Sequence, residues 1–285
     1  MRKLLDIDRE ILSFLKISKN IAQIHQAHAE VVKKGVKQDP VVAFELIWAC
    51  SSTDSIDYAG KVFAKLEAPN VFHFTALIDG HILLGLVAEA IHLYYEMVGE
   101  LVHPDSYVTA SVLKACGLGL ALREGREVHG QVVKLGLSRN RVVGINLMEV
   151  YGKCGVFQDA WKVFDDMPEQ DAMLRTAMMS CYFDHGRVAE ACALFSGVGK
   201  KDMLCWTAMI DGLVRNGEMC RALEVFCEMQ RENMNPNEVT IVCVLSACSL
   251  QGAMEIGRWV HSYLGKFGID LNRFEGGALI NMYSR

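Results

Sequence analysis

His28 and Glu30 stand two residues apart. That H-x-E spacing is half of the signature with which zinc deaminases hold a metal beside a general acid–base. The other half, P-C-x-x-C, is absent, and His28 recurs in register as His129 and His261. A histidine that returns with a repeat is a packing feature, so catalysis by His28 and Glu30 is set aside. The ten cysteines contain no C-x-x-C pair for zinc. Most of them, Cys116, Cys154, Cys181, Cys192, Cys205, Cys227, Cys243 and Cys248, fall within helical runs. There a reduced cysteine packs as a small hydrophobe, and free thiols in a reducing compartment are expected. No G-x-S-x-G elbow accompanies the serines, histidines and aspartates. Gly197-Val198-Gly199-Lys200 lacks the spacing and the Ser/Thr of a phosphate-binding loop. The residues thus point to no catalytic, metal or cofactor site, and to a protein that is not an enzyme.

The elements that must carry any other function repeat themselves. Residues 74–80 read FTALIDG and residues 206–212 read WTAMIDG. Residues 111–136, SVLKACGLGLALREGREVHGQVVKLG, answer to residues 243–268, CVLSACSLQGAMEIGRWVHSYLGKFG. Leu147, Met148 and Tyr151 recur as Leu279, Ile280 and Tyr283, and every such pair is 132 residues apart. One offset held across three blocks marks a modular array. Equivalent cuts give repeats 40–70, 71–105, 106–140, 141–171, 172–202, 203–237 and 238–272, of 31, 35, 35, 31, 31, 35 and 35 residues. A degenerate repeat, 5–39, precedes them and a partial one, 273–285, follows.

The period inside a repeat is helical. In 203–237, Trp206, Met209, Ile210 and Leu213 follow the i, i+3, i+4, i+7 spacing. Asn216-Gly217 breaks the run, with Gly217 free to take positive φ at a helix end. Ala222, Leu223, Val225, Phe226 and Met229 resume it, and Met234-Asn235-Pro236 is expected to close it, because proline cannot continue a helix. Each repeat therefore reads as helix–turn–helix, for example about 72–84 and 87–99 in 71–105. One hairpin cannot bury its apolar face, whereas stacked neighbours bury it jointly. The expected fold is all-α, a right-handed α-solenoid forming one domain over 5–285 with a long concave surface.

Composition agrees with a continuous core, since 51% of residues are hydrophobic. The net charge of −5 runs against simple nucleic-acid binding, which is usually basic overall. A locally basic groove on an acidic body stays open. No stretch reaches the ~18 apolar residues that span a bilayer. The first residues carry Asp6, Asp8 and Glu10, whereas transit peptides are acid-poor, so no targeting segment is evident in them.

The repeats resemble the pentatricopeptide repeat family of plants, in the class that alternates P, L and S repeats. TALIDG at 75–80, TAMMSCY at 176–182 and TAMIDGL at 207–213 look like first helices of P and S repeats. SVLKAC at 111–116 and VLSACS at 244–249 look like first helices of L repeats, and GREVHGQVVKLG at 125–136 and GRWVHSYLGKFG at 257–268 like their second helices. LMEVYGKCG at 147–155 followed by DAWKVFDDMPEQD at 159–171 looks like an S repeat. The resemblance implies the order L 5–39, S 40–70, P 71–105, L 106–140, S 141–171, S-like 172–202, P 203–237, L 238–272 and a partial S at 273–285. It further implies an organellar protein, of the plastid or alternatively the mitochondrion, that binds single-stranded RNA and specifies a cytidine for C-to-U editing. Chemistry would come in trans, from deaminase-bearing members of the family or other editing factors. Membranes and small-molecule substrates are not expected as partners. The look is closest to chloroplast editing factors with an E-type extension. That extension is not among these residues, as in a truncated product or fragment. A protein-binding scaffold, or a product without function, is the competing expectation.

Repeat proteins of this kind read about one base per repeat with two or three side chains. The resemblance assigns base reading to the fifth and last residues of a repeat: Thr75 with Asp105, Thr176 with Asp202, Thr207 with Asn237. It assigns a wedge between bases to the second: Phe72, Met173 and Leu204. The chemistry can be followed. Ionised Asp only accepts hydrogen bonds and suits the N1 and N2 donors of guanine, whereas Asn both donates and accepts and suits adenine. G is thus expected at 71–105 and 172–202, and A at 203–237. On residue types alone, the Asp and Asn residues also read as helix N-caps for the following repeat. Phe44, Ile145 and Gly277, and Ala110 and Val242 of the L repeats, depart from the family's polar fifth residue.

Overall fold

The computed structural model describes residues 11–18, 20–53, 55–168, 170–199, 201–267 and 273–284. Asp6, Asp8 and Glu10, the start of the 5–39 repeat, Lys200, and Asn272 at the end of 238–272 lie outside the described residues. Among the described residues the chain is helical with no strand. The elements are α1 (11–17), α2 (Ile21–Lys33), α3 (Pro40–Ser52), α4 (Ile56–Phe63), α5 (Val71–Leu83), α6 (Val87–Gly99), α7 (Ser106–Leu118), α8 (Leu122–Lys134), α9 (Arg141–Lys153), α10 (Phe157–Asp165), α11 (Ala172–Phe183), α12 (Val188–Ser196), α13 (Met203–Arg215), α14 (Met219–Arg231), α15 (Glu238–Gln251), α16 (Met254–Phe267) and α17 (Arg273–Tyr283).

The chain divides into two compact halves, Met1–Val150 and Tyr151–Arg285. Within each half the hairpins stack in chain order. First helices pack on first helices of the adjacent repeats: α3 on α5 and α5 on α7 in one half, α11 on α13, α13 on α15 and α15 on α17 in the other. Second helices fold back on their own first helices, as α4 does on α3, α6 on α5 and α8 on α7 in one half, and α12 on α11, α14 on α13 and α16 on α15 in the other. The sequence pattern follows from this layering. α5 is flanked on several sides and buries His73, Phe74, Ala76, Leu77, Ile78, Gly80 and Ile82. α6 is flanked on one face and buries Ala90, Ile91, Tyr94 and Met97.

The two repeat lengths have a local cause. The second helices α4, α10 and α12 of the 31-residue repeats have 8, 9 and 9 residues, against 13 in α6, α8 and α14. Four residues are about one helical turn, so the shorter helix keeps its apolar stripe in phase.

The 132-residue offset extends to the backbone. Positive φ occurs at Gly85 and Gly217, at Leu101 and Asn233, and at Leu120 and Gly252. Asn233 corrects one expectation. α14 ends at Arg231 because Asn233 turns left-handed at φ 56°, before Met234-Asn235-Pro236 is reached.

Candidate nucleic-acid interface

Among the described residues, the last residue of a repeat caps the first helix of the next. Asp39, Asn70 and Asp105 do so in the first half, as does Asn140 for α9, and Asp171, Asp202 and Asn237 in the second. Asp105 Oδ1 accepts the backbone N–H groups of Tyr107 and Val108, both at 2.9 Å. Asp202 Oδ1 accepts from the Cys205 N–H at 2.9 Å, and Asn237 Oδ1 from the Thr240 N–H at 2.8 Å. These bonds satisfy amides left over at a helix start. The cap engages one atom of each side chain. Asp105 keeps its second carboxylate oxygen and Asn237 keeps its amide nitrogen.

The fifth residues differ in setting. Thr75 is half-buried and donates to the Val71 carbonyl at 2.7 Å. Thr207 is half-buried, with its hydroxyl 2.8 Å from that of Thr240. Thr176 is only 9% exposed and lies 3.5 Å from Cys205 Sγ. Cys205 and Thr240 are each the third residue of the following repeat. Through them the structure links Thr176 to Asp202 and Thr207 to Asn237. Thr75 and Asp105 are not joined in this way, because the corresponding third residue is Val108.

The second residues stand in solvent. Phe72 is 60% exposed, Met173 43% and Leu204 44%. Residues two and five of a repeat are three apart and share a helix face, so each of these side chains lies beside its repeat's fifth residue. The same position is exposed wherever else it is described, at Val41, Tyr107, Val142 and Val239, with Tyr107 at 76%. Single exposed apolar residues are ordinary; one at the same position of each described repeat makes a stripe within each half. Tyr107, an aromatic ring on this stripe, was not singled out from the sequence. Its signal was available, as the second residue of the 106–140 repeat.

Comparison with known proteins decides the family. A PPR repeat model matches residues 72–100, 146–171 and 175–202, and a PPR repeat family model matches 201–249. A putative chloroplastic pentatricopeptide repeat-containing protein of Arabidopsis thaliana is 50% identical over 277 residues, covering 97% of this chain and 50% of that protein. The chain belongs to the pentatricopeptide repeat family. A second chloroplastic pentatricopeptide repeat-containing protein of Arabidopsis thaliana is 38% identical over 273 residues, covering 95% of this chain and 60% of the relative. The chain thus spans 50 to 60% of the length of these two relatives. Among solved structures, the pentatricopeptide repeat protein PPR10 from maize aligns over 96% of this chain and 46% of its own, at 18% identity and a TM-score of 0.48.

Other pentatricopeptide positions have structural partners. Phe44, Ala110, Ile145 and Val242 at fifth positions are partly buried and carry no polar side-chain atom. His28 Nδ1 lies 2.6 Å from the Tyr58 hydroxyl, and Glu30 pairs with Lys33 at 3.6 Å. Among the described residues no three His, Cys, Asp or Glu side chains gather as a metal site. On the first helices of the second half, Arg215 bridges Asp184 at 2.6 Å and Asp211 at 2.9 Å. In the first half, burial raises the pKa of Asp79, opposed by a bond from Ser111 and the charge of Lys114.

Proposed function

We propose that this pentatricopeptide repeat chain binds single-stranded RNA base by base and serves as the specificity factor for C-to-U editing, recruiting a deaminase in trans. The observation that carries the reading is the stripe of exposed apolar side chains in each half, one at every first helix whose second residue is described, each beside the repeat's fifth position and following an Asp or Asn cap. Exposed rings and aliphatic side chains at regular spacing suit stacking on successive bases, which have π-faces whatever their sequence. The Asp and Asn groups supply edge recognition.

The order of P, L and S repeats places informative readers at 71–105, 172–202 and 203–237. Read N- to C-terminus against 5′ to 3′, they specify G, then G three bases on, then A: G-n-n-G-A. Thr176 is the most buried of the three threonines, so its repeat discriminates least. The chloroplastic names of the two relatives favour a plastid over a mitochondrion.

Binding of a G-n-n-G-A single strand, of a permuted strand and of the corresponding duplex, measured across a salt series, tests the proposal. The matched single strand should bind best, and affinity should fall with salt. Equal binding of all three RNAs, or none, favours a protein-binding scaffold instead.

A further inference from the structure

We propose that Thr240 is a specificity-determining positioning residue, whose hydroxyl sets which hydrogen-bonding atoms Thr207 and Asn237 offer to a base. The inference rests on the base-by-base reading above and adds to it a residue of the following repeat.

The geometry is a closed chain of bonds. The Thr240 side chain is fully buried. Its backbone N–H and its hydroxyl both lie 2.8 Å from Asn237 Oδ1. An amide oxygen only accepts, so the single Thr240 hydroxyl proton points to Asn237. The Thr207 hydroxyl, 2.8 Å from the Thr240 hydroxyl, must then be the donor in that contact. Two consequences follow. Both lone pairs of Asn237 Oδ1 are engaged, so the side chain faces RNA as an amide donor alone. Thr207 has committed its proton and faces RNA as an acceptor alone. A donor at the middle of the edge suits adenine N1 and repels guanine N1–H, and an acceptor beside it suits adenine N6. Asn on its own both donates and accepts. The buried hydroxyl of the next repeat removes that ambiguity.

The other repeats supply internal contrasts. In 172–202 the third residue of the following repeat is Cys205, whose longer 3.5 Å contact holds Thr176. In 71–105 it is Val108, and Thr75 turns to its own helix at Val71. Thr240→Val should reproduce that second state. It keeps side-chain volume and leaves the backbone N–H cap in place, but it frees one lone pair of Asn237 Oδ1 to accept guanine N1–H.

The test measures affinity for two single-stranded RNAs that differ only in A or G opposite 203–237. In T240V the A:G ratio should fall about three- to tenfold, the scale of one hydrogen bond. The G preference opposite 71–105 should not change, and T240S should restore the parent ratio. A gain-of-function arm does not depend on T240V folding: D105N with V108T should prefer A more sharply than D105N alone. The inference is overturned if N237D shifts preference toward G while T240V leaves the ratio intact. It is also overturned if T240V weakens both RNAs equally, or if V108T adds nothing to D105N. If N237D itself shifts nothing, or the parent binds no RNA, the base-reading proposal falls and takes the inference with it.

Discussion

Gly212 packs against the ring of Phe183, whose Cγ, Cδ2 and Cε2 fill the space a Cβ would need. The two residues belong to successive first helices, α13 and α11. Gly80 stands in the same relation to Ser51 on α5 and α3. The glycine that closes TALIDG and TAMIDG is therefore a point of close helix approach. Gly212→Ala should destabilise the protein by about 1–3 kcal/mol, the usual cost of overfilling a packed core. Gly130, inside α8, has nothing within 4 Å of an added Cβ. Gly130→Ala should stabilise by up to about 1 kcal/mol, because alanine orders a helix at lower entropic cost. Urea denaturation of both variants checks for the opposite signs.

The caps separate stability from recognition. Asp105→Ala removes the acceptor of two amides of α7 and should lose about 1 kcal/mol. Asp105→Asn keeps a capping oxygen and should stay within a few tenths of the parent, since Asp and Asn cap about equally well. Its RNA preference opposite 71–105 should nonetheless move from G toward A. Thermal melts read the first effect and competition binding reads the second. A variant whose preference stays put would leave Asp105 a cap and nothing more.

Much of this was legible because the causes are local. The expected helices at about 72–84 and 87–99 are observed at Val71–Leu83 and Val87–Gly99. The one-residue shift arises because Asn70, not Val71, is the capping residue. The end of α14 was misplaced because an isolated Asn, unlike Pro, carries little warning that it will take positive φ. Thr240 was not legible at all. Its bridge to Thr207 spans 33 residues and depends on how one first helix lies against the next. Spacing within a repeat holds no record of that.

His73 should make the first half sensitive to acid. Its ring is 3% exposed, accepts the Asn70 N–H through Nδ1 at 3.1 Å and donates from Nε2 to the Pro40 carbonyl at 3.0 Å. Only a neutral ring can do both. Burial lowers its pKa from the ordinary 6.5, partly opposed by the bond to Pro40. The unfolded chain therefore takes up this proton first. The contribution is complete above the ordinary pKa of 6.5 and is lost as pH falls from there toward the folded value. His73→Gln should lower stability at pH 7 by about 1–3 kcal/mol, and should flatten the decline in Tm between pH 7 and pH 5. His28, also lowered by burial, keeps the residual slope in both proteins. An unchanged slope in the variant would rule His73 out.

The cysteines should react in order of exposure. Cys220 is exposed, whereas Cys50, Cys116, Cys181, Cys205 and Cys248 are buried. Burial pushes the Cys50 thiol up to about 12, and burial with the Asp211 carboxylate does the same to Cys243. Thiolate is the reactive form, so labelling of native protein at pH 8 should take Cys220 first and leave the buried set unmodified. After denaturation without reductant all ten should react. Fewer than ten, restored by reductant, would reveal disulfides.

Phe72 offers the cleanest separation of binding from folding. Its ring is 60% exposed on the first turn of α5, so truncation removes little packing. Phe72→Ala should leave Tm nearly unchanged while RNA affinity drops by about 1–3 kcal/mol, the contribution of one stacked base. Phe72→Tyr should retain the parent affinity, because the face that stacks is preserved. Tyr107→Ala should show a loss of similar size despite a non-polar fifth residue, Ala110, in its repeat, since stacking does not need the edge of the base. Met173→Ala and Leu204→Ala should lose less, as neither side chain has a π-face. Binding titrations at one fixed salt concentration rank the four positions. A ranking in which the aliphatic positions matter as much as the aromatic ones would mean that the stripe serves a protein partner rather than RNA.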